Sequence, residues 1–410
     1  MDTQAVKKEK INWLSLILIF VIGTLFCAIY SLAVYIGPLS VERGWAPEET
    51  VLTFTFSMFV TSPAFIIGGL LLKKIPAKPL VVVCVTAYGL CIAASGMVHS
   101  VVGFIILQGI LCGLLEYIAF VGILNIINKT FPSNQGLATG VLYGSTAVGS
   151  AILAPAATYL CTAYSVSTAL IIQGIIVAVL AFIATMLLKN PKTHDAAADA
   201  AAEEMTEIHE EYGMNWKQMI KSSSFYMLFI AMVLTQLIGN VLVTDTAYIA
   251  EGTLGVDPMK SAFVISAFNI AAGLGGIGIG MFSDKIGPVR TLTATSIFNA
   301  ALLVIMALLG VSNFYVFAII VTVQGFTFNG LTTLSPVIIG TAYGQRNLGV
   351  NIGVFGIASM IVGFIGPQLG LMVSPRPMFL ICAAACVAGA FLSIGSGKAV
   401  NRHYKADVIK

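Results

Sequence analysis

Blocks of apolar residues recur from end to end of the chain, separated mostly by short polar gaps. Each is about the 20 residues that a bilayer helix needs, or longer. They predict helical spans over Trp13–Gly37 (span 1), Val51–Leu72 (span 2), Pro79–Val98 (span 3), Val101–Ile127 (span 4), Gly136–Thr162 (span 5) and Val166–Leu188 (span 6). Six more follow: Phe225–Thr246 (span 7), Met259–Phe282 (span 8), Val289–Gly310 (span 9), Phe314–Ile338 (span 10), Gly349–Met372 (span 11) and Met378–Ser396 (span 12). One gap is long. Lys189 to Ser224 separates spans 6 and 7 and carries Asp195, Asp199, Glu203, Glu204, Glu207, Glu210 and Glu211 among alanines. It reads as a solvated, partly helical linker, with a regulatory partner site as the alternative. Trp216, near its end, reads as an interface anchor ahead of span 7. The expected organisation is an all-α membrane protein: a six-helix bundle over 1–188, a linker over 189–224, and a second six-helix bundle over 225–410.

Composition excludes a soluble chain. Hydrophobic residues make up 58% and charged residues 10%, with a mean hydropathy of +0.95, whereas a soluble domain carries about 25% charged residues. The net charge of +3 gives no nucleic-acid signal. The placement of the charges says more. With the N-terminus inside, 18 of the 21 Lys and Arg face the cytoplasm and only Arg43, Lys260 and Arg376 face out. Basic residues flanking membrane helices stay on the cytoplasmic side, so the sequence predicts a multi-pass protein of the cytoplasmic membrane with both termini inside. The first block is too long for a signal-peptide core and lacks a small-residue cleavage site. The seven cysteines (Cys27, Cys84, Cys91, Cys112, Cys161, Cys382, Cys386) all lie in apolar blocks with no CxxC pair; they read as buried reduced thiols, and no metal site is expected.

The two halves repeat. At an offset of 211, Gly69, Lys74 and Ile75 fall on Gly280, Lys285 and Ile286; at an offset of 213, Gly136 and Gly140 fall on Gly349 and Gly353. Two helix pairs repeating at nearly half the chain length imply six-helix halves related by an axis along the membrane normal.

The loop after span 8, Gly280-Met-Phe-Ser-Asp284-Lys285-Ile-Gly287-Pro-Val-Arg290, closely resembles the major facilitator superfamily signature G-x-x-x-D-(R/K)-x-G-x-x-(R/K). The first-half counterpart departs from it, with Lys73 where the acid is expected and Pro76 where the glycine is. In that superfamily the loop clamps the halves together on the inner side, which makes Asp284, Lys285 and Arg290 gating candidates. The stretches Asn215-Trp216-Lys217…Ser223-Ser224-Phe225-Tyr226-Met227-Leu228, Phe131-Pro132…Gly136-Leu137-Ala138-Thr139-Gly140 and Ser283-Asp284-Lys285-Ile286-Gly287 resemble the oxalate/formate antiporter and monocarboxylate transporter group. That group carries an arginine eight residues before the loop aspartate, where this chain has Gly276, and a lysine in span 11, where it reads Gly356-Ile357-Ala358-Ser359-Met360. A carboxylate substrate would therefore have to be held without either cation.

Of the 21 basic residues only Lys260 and Arg290 fall within the span bounds, each the second residue of its span, and the four histidines lie outside; among the acids only Glu116 and Asp245 lie within them. An intramembrane carboxylate costs about 2.5–3.5 kcal/mol to insert and marks function by default. Glu116, mid-span 4, reads as a proton-coupling carboxyl, with a hydrogen-bonded tie between helices and a direct contact to a cationic substrate as alternatives. Asp245, near the outer end of span 7, reads either as a gating or substrate-attracting group or as a solvated helix end. The superfamily resemblance implies that spans 1, 4, 7 and 10 line the cavity. Candidates for binding substrate are Tyr30, Tyr35, Tyr143, Gln236, Asn240, Asn269, Gln324 and Asn329, each with helix-to-helix hydrogen bonding as the competing role. Prolines within spans 2, 5, 10 and 11 (Pro63, Pro155, Pro336, Pro367) are fixed kinks or hinges.

No Walker A sequence, metal cluster or nucleophile–base pair points to ATP hydrolysis or another enzyme activity, and no repeated filter points to a channel. The expectation is a secondary transporter of a small organic solute, working by alternating access as a monomer in the lipid bilayer, without cofactor or nucleic acid. Protons are the candidate coupling ion. The resemblance favours an organic anion; the acid-only interior favours a neutral or cationic solute, including efflux; a transporter-like receptor is the remaining alternative.

Overall fold

The computed structural model describes residues 12–29, 32–132, 134–188 and 213–408. Tyr30 and most of the acidic linker fall outside that range. Twelve helical spans follow in order: 1, Trp13–Phe26 with a 3-10 turn Cys27–Ile29 and a second helix Leu32–Arg43; 2, Pro47–Leu71; 3, Ala77–Ser95; 4, Val101–Thr130; 5, Gln135–Ala163; 6, Val166–Leu187; 7, Ser223–Leu254; 8, Pro258–Ile286; 9, Pro288–Leu308; 10, Phe314–Tyr343; 11, Leu348–Met372; 12, Pro375–Val408. Among the described residues, eight helical stretches are long and apolar enough to cross a bilayer by length and composition.

The helix ends have local causes. Side-chain oxygens of Asn12, Ser165, Ser222 and Asn313 accept the first orphan N–H groups of spans 1, 6, 7 and 10. Span 7 ends at Gly255, whose φ of 62° an L side chain resists. Trp216 opens a short helix, Trp216–Lys221, capped by Asn215, and its exposed ring lies 5.5 Å from the Lys217 ammonium.

Two departures from the apolar pattern stand out. Span 1 is not one helix to Gly37: it turns through Cys27–Ile29 and resumes to Arg43. Span 4 contains a π-helical stretch, Ile105–Leu111, before returning to α-helix at Cys112. At the end of span 1, Arg43 donates to the carbonyls of Ser95 and Gly96 that finish span 3, while Glu42 accepts the first N–H of span 6, from Val166. This pair of neighbours closes one helix C-terminus and one helix N-terminus with opposite charges, as their dipoles require.

One end of the molecule carries Lys73, Lys129, Lys285 and Arg346 and is called the basic end here; the other is the far end. At the basic end a single buried apolar cluster runs through both halves, from Ile19 and Val121 to Leu334, Tyr343 and Ile352. Toward the far end the second half has its own cluster around Leu242, Phe317 and Phe379. Around the outside, Val83, Leu90, Ile270, Leu308, Ile319 and Phe391 are exposed, the apolar belt a bilayer would cover. All seven cysteines are free thiols.

Candidate functional site

The halves meet along two seams at the basic end. In one, spans 5 and 8 approach through glycines: a Cβ on Gly136 would strike the Gly280 carbonyl, and one on Gly140 the Gly276 carbonyl. In the other, spans 2 and 11 approach likewise, with Gly69 against Gly349 and Gly353 against Ile66, and Ser62 Oγ donates 2.6 Å to the Gly353 carbonyl. The contacts exchange the repeat partners. Gly69 matches Gly280 and Gly136 matches Gly349 in sequence; in space Gly69 meets Gly349 and Gly280 meets Gly136. A twofold axis between the halves produces that swap.

Each seam is finished by polar groups. The Asp284 carboxylate accepts the N–H of Gly136 at 2.7 Å and of Leu137 at 2.8 Å, capping span 5 from the opposite half; Asn134, the residue before span 5, supplies no side-chain cap of its own. Gly287, at φ 92°, turns the chain directly into Pro288 of span 9. Lys285 and Arg290 flank this turn, exposed. In the other seam Lys73 Nζ donates 2.7 Å to Asn347 Oδ1, and Asn128 donates 2.8 Å to Gln345.

Above the seams, at mid-depth, sit several of the predicted polar residues. Asn329 Nδ2 donates to the Ala272 carbonyl of span 8 at 3.0 Å and to the Tyr143 carbonyl of span 5 at 3.2 Å, so it bonds across the halves. The Tyr143 ring packs on Phe120 of span 4 with centroids 5.0 Å apart. Asn269 falls on the same face of span 8 as Gly273, Gly276 and Gly280 by helical phase, and it is exposed one turn beyond the last glycine contact. It therefore lies where spans 5 and 8 have parted. Asn240 Nδ2 donates to the Gln236 carbonyl at 3.2 Å, and its Cβ faces Gly366 of span 11.

Other candidates are placed inside a half. The Tyr35 hydroxyl donates to Gln173 Oε1 of span 6, a fully buried tie within the first half. Gln324 is 1% exposed; Thr327 Oγ1 lies 3.5 Å from its Oε1, and its Nε2 has no partner. Asp245 lies in span 7, with its side chain outside the described residues.

Glu116 is 4% exposed and its Oε2 has no hydrogen-bond partner. One turn before it, Cys112 Sγ reaches the Tyr88 carbonyl of span 3; one turn after it, Phe120 packs on Phe26 of span 1 and Phe65 of span 2. The carboxyl is thus held in the interior of the first half, next to the inter-half face and not on it. Counted from Val101 and Phe314, where spans 4 and 10 begin, Asn329 stands in span 10 where Glu116 stands in span 4. The sequence reading missed Gln173, Gln345 and Asn347, whose partners lie far away in the chain, and the span 2 hydroxyls Thr50, Thr53 and Ser57, whose spacing of three and four residues was visible.

Two pseudo-symmetric six-helix bundles that touch at one end are the architecture of a polytopic membrane transporter. The Major Facilitator Superfamily model matches residues 16–367, and the chain belongs to that family. It is similar to the oxalate:formate antiporter of Oxalobacter formigenes, 24% identical over 91% of this chain and 88% of that one. It is also similar to the MFS-type transporter YhjX of Escherichia coli (strain K12), 21% identical over 86% and 87%. Among solved structures, the proton:xylose symporter XylE superposes with a TM-score of 0.71 at 11% identity, covering 92% of this chain and 94% of that one.

Proposed function

We propose that this chain is a secondary active transporter that carries a small organic anion through the cytoplasmic membrane by alternating access, coupled to protons through Glu116. The carrying observation is a carboxyl buried at mid-depth with an unpartnered oxygen, in a bundle whose halves touch at the basic end. A carboxylate cannot stay charged in that setting without a partner; a carboxyl that is neutral when buried and charged when hydrated carries one proton per cycle. The basic end is the cytoplasmic side, by the excess of Lys and Arg there, so the form described here faces outward. Asp284, with Lys285 and Arg290 beside it, is the inner gate.

The anion reading draws on the resemblance to the oxalate:formate antiporter. With Lys, Arg and His confined to the ends of the spans, the anion is bound by amides and hydroxyls at mid-depth, with Asn269, Asn240, Tyr143 and Asn329 the candidates. The same lack of cations favours the second reading, a neutral or cationic solute. Thermal-shift measurements on purified protein against carboxylates, amines and sugars separate the two: at 100 times Kd a ligand adds about 2.7 kcal/mol of stability, and stabilisation by amines but not carboxylates would overturn the anion. Once a substrate is in hand, Glu116→Gln in proteoliposomes is expected to abolish pH-driven uptake while leaving exchange of labelled substrate. Undiminished pH-driven uptake would remove the proton role.

A further inference from the structure

Span 2 carries three buried hydroxyls on one helix face. Thr50, Thr53 and Ser57 are each 0% exposed, and the Oγ atom of each lacks a hydrogen-bond partner. A Thr or Ser in a helix ordinarily bonds back to the carbonyl one turn earlier, as Thr61 does to Ser57 on the same helix. These three do not. The backbone of two of them packs on span 4: Gly109, in its π-helical stretch, lies against the Thr53 carbonyl, and Gly113, in the turn that follows, against the Ser57 backbone; Thr50 shares their helix face by its spacing. In the same stretch Gln108 is 1% exposed; its Oε1 accepts from Ser95 at 3.1 Å while its Nε2 has no partner.

The depths line up. Spans 2 and 4 both run from the far end inward, and the glycine contacts fix their register. Thr50 is nearest the far end, Gln108 and Thr53 come next, Ser57 about 6 Å deeper, and Glu116 about 5 Å deeper again at 1.5 Å rise per residue. Five buried residues, each with an unpartnered polar atom, thus follow one seam from the far end to the carboxyl that the proposed function uses. Buried polar groups are almost always satisfied, and a short row of donors and acceptors between two helices is what ordered water needs, two to four polar partners per molecule. π-helical turns within α-helices also concentrate at functional sites.

We propose that the seam between spans 2 and 4 is a proton access path, in which a file of water held by Thr50, Gln108, Thr53 and Ser57 connects the far side of the membrane to Glu116. This rests on the proton-carrying reading of Glu116. Transfer is a relay: each water accepts a proton from the far side and releases another inward, so the net change is one proton taken from solution and one carboxylate made neutral. The path is separate from the route between the halves, so proton and solute reach mid-depth by different doors. Among the described residues, the ionisable side chains placed around Glu116 are Cys112 and Tyr117 on its own helix, Cys91 of span 3, which meets Cys112, and Tyr143 of span 5, which meets Tyr117; none is a cation.

The test uses full-length protein in nanodiscs and two readouts. Thermal unfolding of Thr53→Val, Ser57→Ala and the double variant reports hydration. If the seam is dry, deleting an unpartnered hydroxyl relieves a burial penalty and Tm rises; if it is wet, Tm stays or falls. The rate of deuterium exchange at the protonated Glu116 carboxyl, followed by its infrared carbonyl band and assigned by the loss of that band in Glu116→Gln, reports access. The double variant is expected to exchange about tenfold slower or more, and Ser296→Ala, which removes a hydroxyl bonded to the Leu292 carbonyl in the other half, to exchange at the parent rate. A rise in Tm, or an exchange rate untouched by the double variant, overturns the path and leaves the carboxyl's role standing. Absence of the band in the parent protein overturns both.

Discussion

The two seams at the basic end share a backbone and differ in charge. Spans 5 and 8 are joined by glycines and finished by a carboxylate on a helix N-terminus, where negative charge is favoured. Spans 2 and 11 are joined by glycines too, but the residue in the matching place is Lys73, a cation beside the N-terminus of span 11, where it is disfavoured. It is tolerated because its long stem takes the ammonium to the Asn347 side-chain oxygen. The Asn347 amide in turn donates to the Gly213 carbonyl at 3.2 Å, and Asn351 donates to the Met214 carbonyl at 3.0 Å, so this seam is tied to the segment that leads into span 7. A repeat that conserves shape need not conserve strength: one seam is an electrostatic lock, the other an amide-bonded contact that also holds the incoming connection. If Asp284 is the inner gate, opening toward the cytoplasm is limited by the span 5–8 side.

The largest effect should come from removing close approach itself. Gly140→Val would place a Cβ and two methyls where the Gly276 carbonyl carbon and the Ile277 Cα stand, both within 3 Å of the new Cβ and both backbone atoms that cannot step aside. Overpacking of this kind costs about 1–3 kcal/mol, or about five- to 150-fold in the balance between closed and open inner sides. Spin labels on the basic ends of spans 5 and 8 should show a longer distance as the main population, and counterflow in proteoliposomes should fall in proportion. Retention of the short distance would mean that the glycine contact is not what brings the halves together.

Asp284→Asn tests the lock with the packing intact. The amide keeps one oxygen for one N–H but turns its NH2 toward the other and loses the charge. Loss of an N-cap costs about 0.5–2 kcal/mol, so the closed fraction is expected to fall about tenfold, less than for Gly140→Val. The same spin-label pair reads it, beside a pair on spans 2 and 11. If the span 5–8 distance is unmoved while the span 2–11 distance grows, the two seams have been ranked in the wrong order.

Much of this was legible in the sequence because lipid imposes a single requirement, about 20 apolar residues per crossing, and among the described residues eight helical stretches meet it by length and composition. The glycine repeat even carried the pairing, since Gly69, Gly136, Gly280 and Gly349 are the residues that meet. What the pattern could not carry is register within a helix and contact between distant segments. The 3-10 turn at Cys27–Ile29 and the π-helical stretch at Ile105–Leu111 are as apolar as their surroundings, so hydropathy passes over both. Asp284 stood out as a motif residue, but its partners at Gly136 and Leu137 lie almost 150 residues upstream, and the Gln173 that Tyr35 bonds lies 138 residues downstream. Thr50, Thr53 and Ser57 carried no signal, because a hydroxyl in an apolar helix is silent until its neighbours are known.

The smallest expected change is a gain. Lys73→Asp restores at the span 2–11 seam the sign of charge that the other seam carries. The ammonium and its bond to Asn347 are lost; in their place a carboxylate stands near the N–H groups that begin span 11, for which Asn347 provides no side-chain cap. An acid near a helix N-terminus contributes about 0.3–1 kcal/mol, a factor of about two to five in the closed fraction. The decisive background is Asp284→Asn. There the added acid should recover part of the lost closure, because both locks act on the same rigid movement of one half against the other. Recovery in the double variant, with little change in Lys73→Asp alone, would show that the span 5–8 lock already holds the inner side shut. If Lys73→Asp loosens the span 2–11 distance instead, the lysine's bond to Asn347 is itself a latch, and the asymmetry between the seams is one of chemistry and not of strength.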